Sequence, residues 1–147
     1  MEKKELASIL SEILLQIGFK KKGYYWVVNS AEIVKIINLQ KSQFSNNFYI
    51  NYGYILKSIP LEDKMHIYKR VASTDVNVNV KIKELLYIEN NIFKEDRARD
   101  LKRVLVENLI ENINSVNTEA DILEELKKKP HLNDIPLIVK RHFHLPE

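Results

Sequence analysis

Cysteine is absent from this chain of 147 residues. Its absence excludes disulfides, thiolate zinc sites, iron–sulfur clusters and cysteine nucleophiles. Glycine is confined to Gly18, Gly23 and Gly53, too few and too scattered for a glycine-rich phosphate loop. No G-x-S-x-G, H-E-x-x-H or G-K-[ST] string occurs, which removes the common catalytic templates. No stretch approaches the ~20 apolar residues of a membrane span. The N-terminal MEKKELASILSEILLQIG is interrupted by Ser8, Ser11, Glu12 and Gln16, so no secretory signal is expected. A surplus of one charge is missing too: 23 Lys and Arg against 20 Asp and Glu leave +3. A dedicated nucleic-acid binder would show a more concentrated basic surface. Heavy use of Ile, Asn and Lys fits an AT-rich bacterial coding sequence, and the expected compartment is the cytoplasm.

What remains is an ordinary globular composition, 45% hydrophobic and 29% charged. The length predicts one domain over residues 1–147, and a domain of this size buries roughly 70% of its unfolded surface. The most informative segment is IVKIINLQKSQFSNNFYINYGYIL, Ile33 to Leu56. Two apolar and aromatic runs of strand length flank the polar loop KSQFSNN, the pattern of two adjacent antiparallel strands.

The first helix is set by Leu6, Ile9, Leu10, Ile13, Leu14 and Ile17, one apolar stripe closed by Gly18. Strands are expected from about Phe19 to Val28, Glu32 to Gln40 and Asn47 to Leu56. In the third, Phe48, Ile50, Tyr52 and Tyr54 share one face and Tyr49, Asn51 and Gly53 the other. Gly53 would let a neighbouring backbone or ring approach closely. A fourth strand is expected from His66 to Ala72. A fifth is expected in DVNVNVKIK, where Val76, Val78, Val80 and Ile82 alternate with Asn77, Asn79 and Lys81. Leu85, Leu86 and Ile88 suggest a short helix or turn. A long helix then covers about Glu95 to Val116, with Leu101, Val104, Leu105, Leu109, Ile113 and Val116 as its stripe. Thr118 with Asp121 resembles a capping box and starts a helix through about Lys129, ended by Pro130. The tail is expected as a short helix or an extended segment on the body.

Several of these strings resemble the bacterial domain-of-unknown-function family 4304. They are GFKKKGYYW (Gly18 to Trp26), INLQKSQFSNNFYINYGY (Ile37 to Tyr54), HIYKR (His66 to Arg70), and Glu89, Asn90 and Arg97 through Leu101. The specific part is Asn38–Leu39–Gln40–Lys41–Ser42 followed by Phe48 to Asn51. No tryptophan follows HIYKR, where relatives often carry one. The resemblance implies one α+β domain of bacterial origin. It implies no reaction and no catalytic residue.

Candidate chemistry is sparse. His142 and His144 would project to one side of an extended tail and, with His131 or an aspartate, could hold zinc or nickel; in a helix they diverge. No cofactor or metal is implied. The run Lys20, Lys21, Lys22, Tyr24, Tyr25, Trp26 offers cations for phosphate and rings for bases. Its bland alternative is an exposed strand start followed by core rings. The strongest candidate is distributed. Asn38, Gln40, Tyr49, Asn51, His66, Tyr68 and Arg70 fall on alternate strand positions, and Asn77 and Asn79 could join them. With helices on one sheet face, these side chains would share the other. That surface would suit an anionic or peptide ligand anchored by the Arg70 fork. Its bland alternative is a solvated sheet face.

The sequence therefore predicts an α+β fold: an N-terminal helix, an antiparallel sheet of about five strands, and two or three C-terminal helices packed with the first on one face. The functional expectation is a non-catalytic cytoplasmic binding module with a protein or peptide partner, immunity-like or regulatory. The alternatives are a small-ligand protein or enzyme with a pocket near His66 and Arg70, and a weak nucleic-acid binder through Lys20 to Trp26.

Overall fold

The computed structural model describes residues 2–147. The fold is α+β. Helix α1 (Lys3–Leu14) precedes strands β1 (Lys20–Lys22), β2 (Tyr25–Asn29), β3 (Ile33–Lys41), β4 (Phe48–Leu56) and β5 (Ile67–Arg70). Helices α2 (Val76–Leu86), α3 (Lys94–Leu105), α4 (Glu111–Asn114), α5 (Glu119–Lys127) and α6 (Leu137–His142) follow. The sheet is an antiparallel meander in the order β1-β2-β3-β4-β5.

The sheet has five strands, as expected, but not the expected five. The first predicted strand is a hairpin folded at Gly23. Lys22 pairs with Tyr25 across a two-residue turn, and Gly23 has φ 60°, the first position of a primed hairpin turn that only glycine occupies without strain. Three consecutive lysines thus form the outer edge strand, all exposed. The predicted fifth strand is a helix. Asp75 caps α2, its carboxylate accepting from the amides of Asn77 at 2.9 Å and Val78 at 3.4 Å. The alternation of DVNVNVKIK misleads because Val76 and Val80 are exposed. The helical stripe is Val78, Ile82, Leu85 and Leu86, and it is complete only when the following turn is included.

The long helix is one rod with a wide turn, Val106–Ile110, joining α3 to α4. Leu101, Leu105, Leu109 and Ile113 are all buried, a four-residue repeat. In a regular α-helix that spacing drifts about 40° per step, and a wider turn takes up the drift, keeping all of them on the core. The capping box at α5 forms as expected, with Thr118 Oγ1 accepting from the Asp121 amide at 3.1 Å.

The helices cover one sheet face. Trp26, Ile37, Leu39, Ile50, Tyr52, Tyr54 and Ile67 point into this layer, and Trp26 donates from Nε1 to Ser11 Oγ of α1 at 3.0 Å. Lys35 also faces it. Its Nζ reaches Asn117 Oδ1 at 2.7 Å and pins the loop before α5, and burial holds its amine below the ordinary lysine range.

Tyr54 is wholly buried and its hydroxyl has no hydrogen-bond partner among the described residues. Burial, and then the charge of Glu125, push its ionisation well above the ordinary tyrosine value; burial does the same to Tyr52. The unfolded chain ionises these phenols near about pH 10. Their neutral forms therefore stabilise the fold fully below that pH, and the contribution is lost as pH rises further. The melting temperature is expected to fall above about pH 10. Tyr54→Phe removes the unpartnered hydroxyl while keeping the ring. It is expected to leave stability at neutral pH unchanged or up to about 1 kcal/mol higher and to make the alkaline fall shallower. Thermal melts across the alkaline range check both, and a clear loss at neutral pH would mean the hydroxyl is bonded.

Candidate functional site

The second sheet face carries the even positions of β3 and the odd positions of β4. The register sets Tyr25, Asn38, Asn51 and Arg70 in one row across β2 to β5, with Val27, Ile36, Gly53 and Tyr68 in the next. Gln40 and Tyr49 stand opposite each other at the end of β3 and the start of β4. The loop from Lys57 to His66 folds back over part of this face. Lys64 Nζ sits 5.0 Å from the centre of the Tyr25 ring, Met65 lies against Gly53, and Ile36 beneath them is buried. The polar end, around Asn38, Gln40, Tyr49 and Arg70, is left uncovered.

At that end the side chains form one network. Arg70 Nε donates to Asn51 Oδ1 at 3.1 Å. Asn51 Nδ2 donates to Gln40 Oε1 at 2.8 Å and to Asn38 Oδ1 at 3.1 Å. The Arg70 guanidinium lies over the Tyr49 ring, 4.0 Å from its centre. Asn51 is completely buried, so its amide must be satisfied on both ends, and it is.

Arginine has donors only, which fixes every amide in the chain of bonds. Asn51 must offer its oxygen to Arg70 and its nitrogen to its neighbours. Asn38 and Gln40 must then turn their oxygens inward and their nitrogens outward. Asn38 Nδ2 reaches the Tyr24 and Leu39 carbonyls only at 3.5 Å. Gln40 Nε2 and both terminal nitrogens of Arg70 take no acceptor among the described residues. The free ends of the network are thus donors, and the surface is built to accept hydrogen-bond acceptors.

Arg70 and Tyr49 also border a groove of about 570 Å3 between the end of the sheet and α2. Asn47, Asn79 and Lys83 supply its other polar groups, and Phe48, Ile50, Val71, Ile82 and Leu86 its apolar wall. Asn79 is fully engaged: its side chain accepts from the Ser73 amide and donates to the Ser73 carbonyl, holding the turn into α2. No carboxylate lines the groove.

Not every expected site residue joins this cluster. Tyr68 shares the face but stands a row away and is exposed. Asn77 is on the exposed side of α2. His66 is elsewhere: its Nδ1 accepts from the Leu56 amide at 2.9 Å and its Nε2 meets the Pro60 carbonyl at 2.8 Å. The ring therefore ties the covering loop to the end of β4, and it is buried. Lys83 and Ile82 escaped the sequence reading as groove residues because their segment was read as a strand. The signal that could have found them is the Asp75 cap followed by the helical spacing of Val78, Ile82 and Leu85.

The other candidate clusters lie outside the Asn38–Gln40–Asn51–Arg70 network. His142 ends α6 and His144 lies beyond it in a left-handed conformation, so the two are not aligned as in an extended tail. No group of three or more His, Cys, Asp or Glu suited to a metal occurs among the described residues. His142 pairs with Glu119, and Ser58 donates to the same carboxylate at 3.0 Å. Carboxylate and hydroxyl both approach Nε2 of that ring, so the proton relay of a triad is not formed. Of the lysine–aromatic run, Trp26 is buried and Tyr24 carries Lys3 at 4.0 Å from its ring centre.

The fold and the site define an α+β protein with one helix-covered sheet face and one partly open polar face. A family profile, domain of unknown function DUF4304, matches residues 10–131, and the chain belongs to that family. No curated protein and no solved structure was found to match.

Proposed function

We propose that the protein is a non-catalytic binding module of the bacterial cytoplasm, a single domain that engages a protein or peptide partner through the Arg70 end of the open sheet face. The observation that carries this reading is the outward donor set of the Asn38–Gln40–Asn51–Arg70 network. Arg70 is held at Nε and stacked on Tyr49, so its terminal nitrogens are oriented before a ligand arrives. A preoriented fork loses little freedom on binding a carboxylate or phosphate. Composition supports the compartment, and no helix among the described residues is long and apolar enough to cross a membrane. The groove beside Arg70 favours the second reading, a small-ligand protein, although His66 does not face it.

The test compares wild type and Arg70→Ala in quantitative affinity purification, with folding checked by Trp26 fluorescence. Partners held through this face are expected to be depleted about tenfold or more by the substitution, the scale of an arginine hot spot. Retention of every partner at wild-type level by a folded Arg70→Ala protein would end this reading.

A further inference from the structure

The groove between the end of the sheet and α2 carries the Arg70 fork, and it has a definite chemistry. Its charged members are Arg70 and Lys83, both cations, with no opposing carboxylate in the lining. Its wall is apolar: Phe48, Ile50, Val71, Ile82 and Leu86. Beyond the groove the apolar character continues on the surface of α2. Val76 is 74% exposed and Val80 50% exposed, and with Lys83 they occupy positions i, i+4 and i+7 of one helical stripe, which the exposed carboxylates of Asp75 and Glu84 flank at its two ends.

From this juxtaposition we infer that the groove receives an acidic peptide segment in which carboxylates alternate with apolar side chains. The inference rests on the reading of Arg70 as the binding face and specifies its partner. One carboxylate takes the Arg70 fork, with Gln40 Nε2 at its flank, and a second takes Lys83. Apolar side chains between them fill the wall and lie on Val76 and Val80. Length favours a peptide over a small anion. The stripe from Val76 to Lys83 runs about 10 Å along the helix at 1.5 Å per residue. A lone carboxylate or phosphate leaves the apolar wall and that stripe uncovered, whereas about four extended residues cover that distance. Charge complementarity sets the sign of the partner, and the apolar wall sets its spacing.

The experiment is an NMR titration of 15N-labelled protein with three probes. They are acetate, a short acetylated and amidated peptide alternating glutamate with leucine, and the glutamine–leucine version of that peptide. The acidic peptide is expected to shift the amides of Tyr49, Ile50, Arg70 to Ala72 and Asn79 to Leu86, and the Nε–H signal of Arg70. Its Kd is expected to be at least about tenfold below that of the glutamine peptide, one such step being a modest interaction free energy. Lys83→Gln, on the exposed side of α2, should weaken the acidic peptide by about threefold or more and Arg70→Gln by about tenfold or more. Equal binding of the two peptides, shifts confined to another surface, or no response to Lys83→Gln would each overturn the inference. Acetate separates the two levels. If acetate moves the Arg70 Nε–H signal while the acidic peptide binds no tighter than acetate, the Arg70 face stands as an anion site and the peptide inference falls. If neither probe moves that signal, both fall.

Discussion

Replacing Gly53 with alanine is expected to cost more than about 3 kcal/mol, enough to unfold most of the protein at moderate temperature. The reason is a backbone contact. A Cβ at this position would lie 1.8 Å from the carbonyl oxygen of Ile67 and 2.6 Å from Sδ of Met65. The methionine can swing away; the carbonyl cannot, because Ile67 is part of β5 and pairs with Tyr54. Relief would require β5 to separate from β4, and with it Arg70 from Asn51. Overpacking that only flexible side chains must absorb costs about 1–3 kcal/mol, so a backbone collision belongs above that range. Urea unfolding followed by the fluorescence of the single tryptophan, Trp26, measures it. A Gly53→Ala protein with a wild-type midpoint would show that the β4–β5 ladder is looser than described.

A second large loss is expected at Arg97. This guanidinium is 1% exposed and has no carboxylate partner among the described residues. Its terminal nitrogens are satisfied by backbone instead, while Nε is buried with no partner among the described residues. Nη1 donates to the carbonyls of Glu84 at 3.4 Å, Tyr87 at 3.2 Å and Leu85, and Nη2 to Asn90 at 3.1 Å. These are the last turn of α2 and the loop beyond it, where helix carbonyls lack partners of their own and the helix dipole is negative. Burial pulls the ionisation of Arg97 downward. Arg97→Leu would strand four buried or part-buried acceptors, an expected loss of about 3–5 kcal/mol. Arg97→Lys is expected to recover only part of it, since an ammonium cannot span the same set of carbonyls. Unfolding midpoints of both variants, with hydrogen exchange of the 84–90 segment, check the mechanism. Full rescue by lysine would show that charge, not fork geometry, is what the loop needs.

These two residues also show what could be read from the sequence. Gly53 stood in a run of strand-forming aromatics, so a close approach there was expected; that its neighbour would be the Ile67 carbonyl required the β4–β5 register. Arg97, Asn90 and Glu89 were visible only as part of a family likeness. Their roles are structural: Asn90 Nδ2 donates to the Glu84 carbonyl at 2.9 Å, and Glu89 accepts from Asn46 and from the Tyr87 hydroxyl. A buried arginine held by main-chain carbonyls leaves no mark in composition or periodicity.

The candidate site divides in the same way. Alternation along β3, β4 and β5 was enough to group Asn38, Gln40, Tyr49, Asn51 and Arg70 on one face, because strand period is local. His66 left that group since the chain joins the ladder only after it, at Ile67, and two backbone groups capture its ring. Lys83 was lost to a wrong period in the Val–Asn repeat, where two exposed valines imitate a buried strand. The α+β class was legible because the α1 stripe and the aromatic β4 are long and regular. The helix count was not, because short elements such as α6 are decided by what they pack against.

The lysine triplet of β1 has one further consequence. A second copy approaching that border of the sheet in antiparallel fashion would set Lys20, Lys21 and Lys22 against the same three residues. Like charges directly opposite one another oppose pairing, and a charged, three-residue border offers little ladder to compensate. The β1 margin of the meander is therefore disfavoured for edge-to-edge growth with a second copy of this chain.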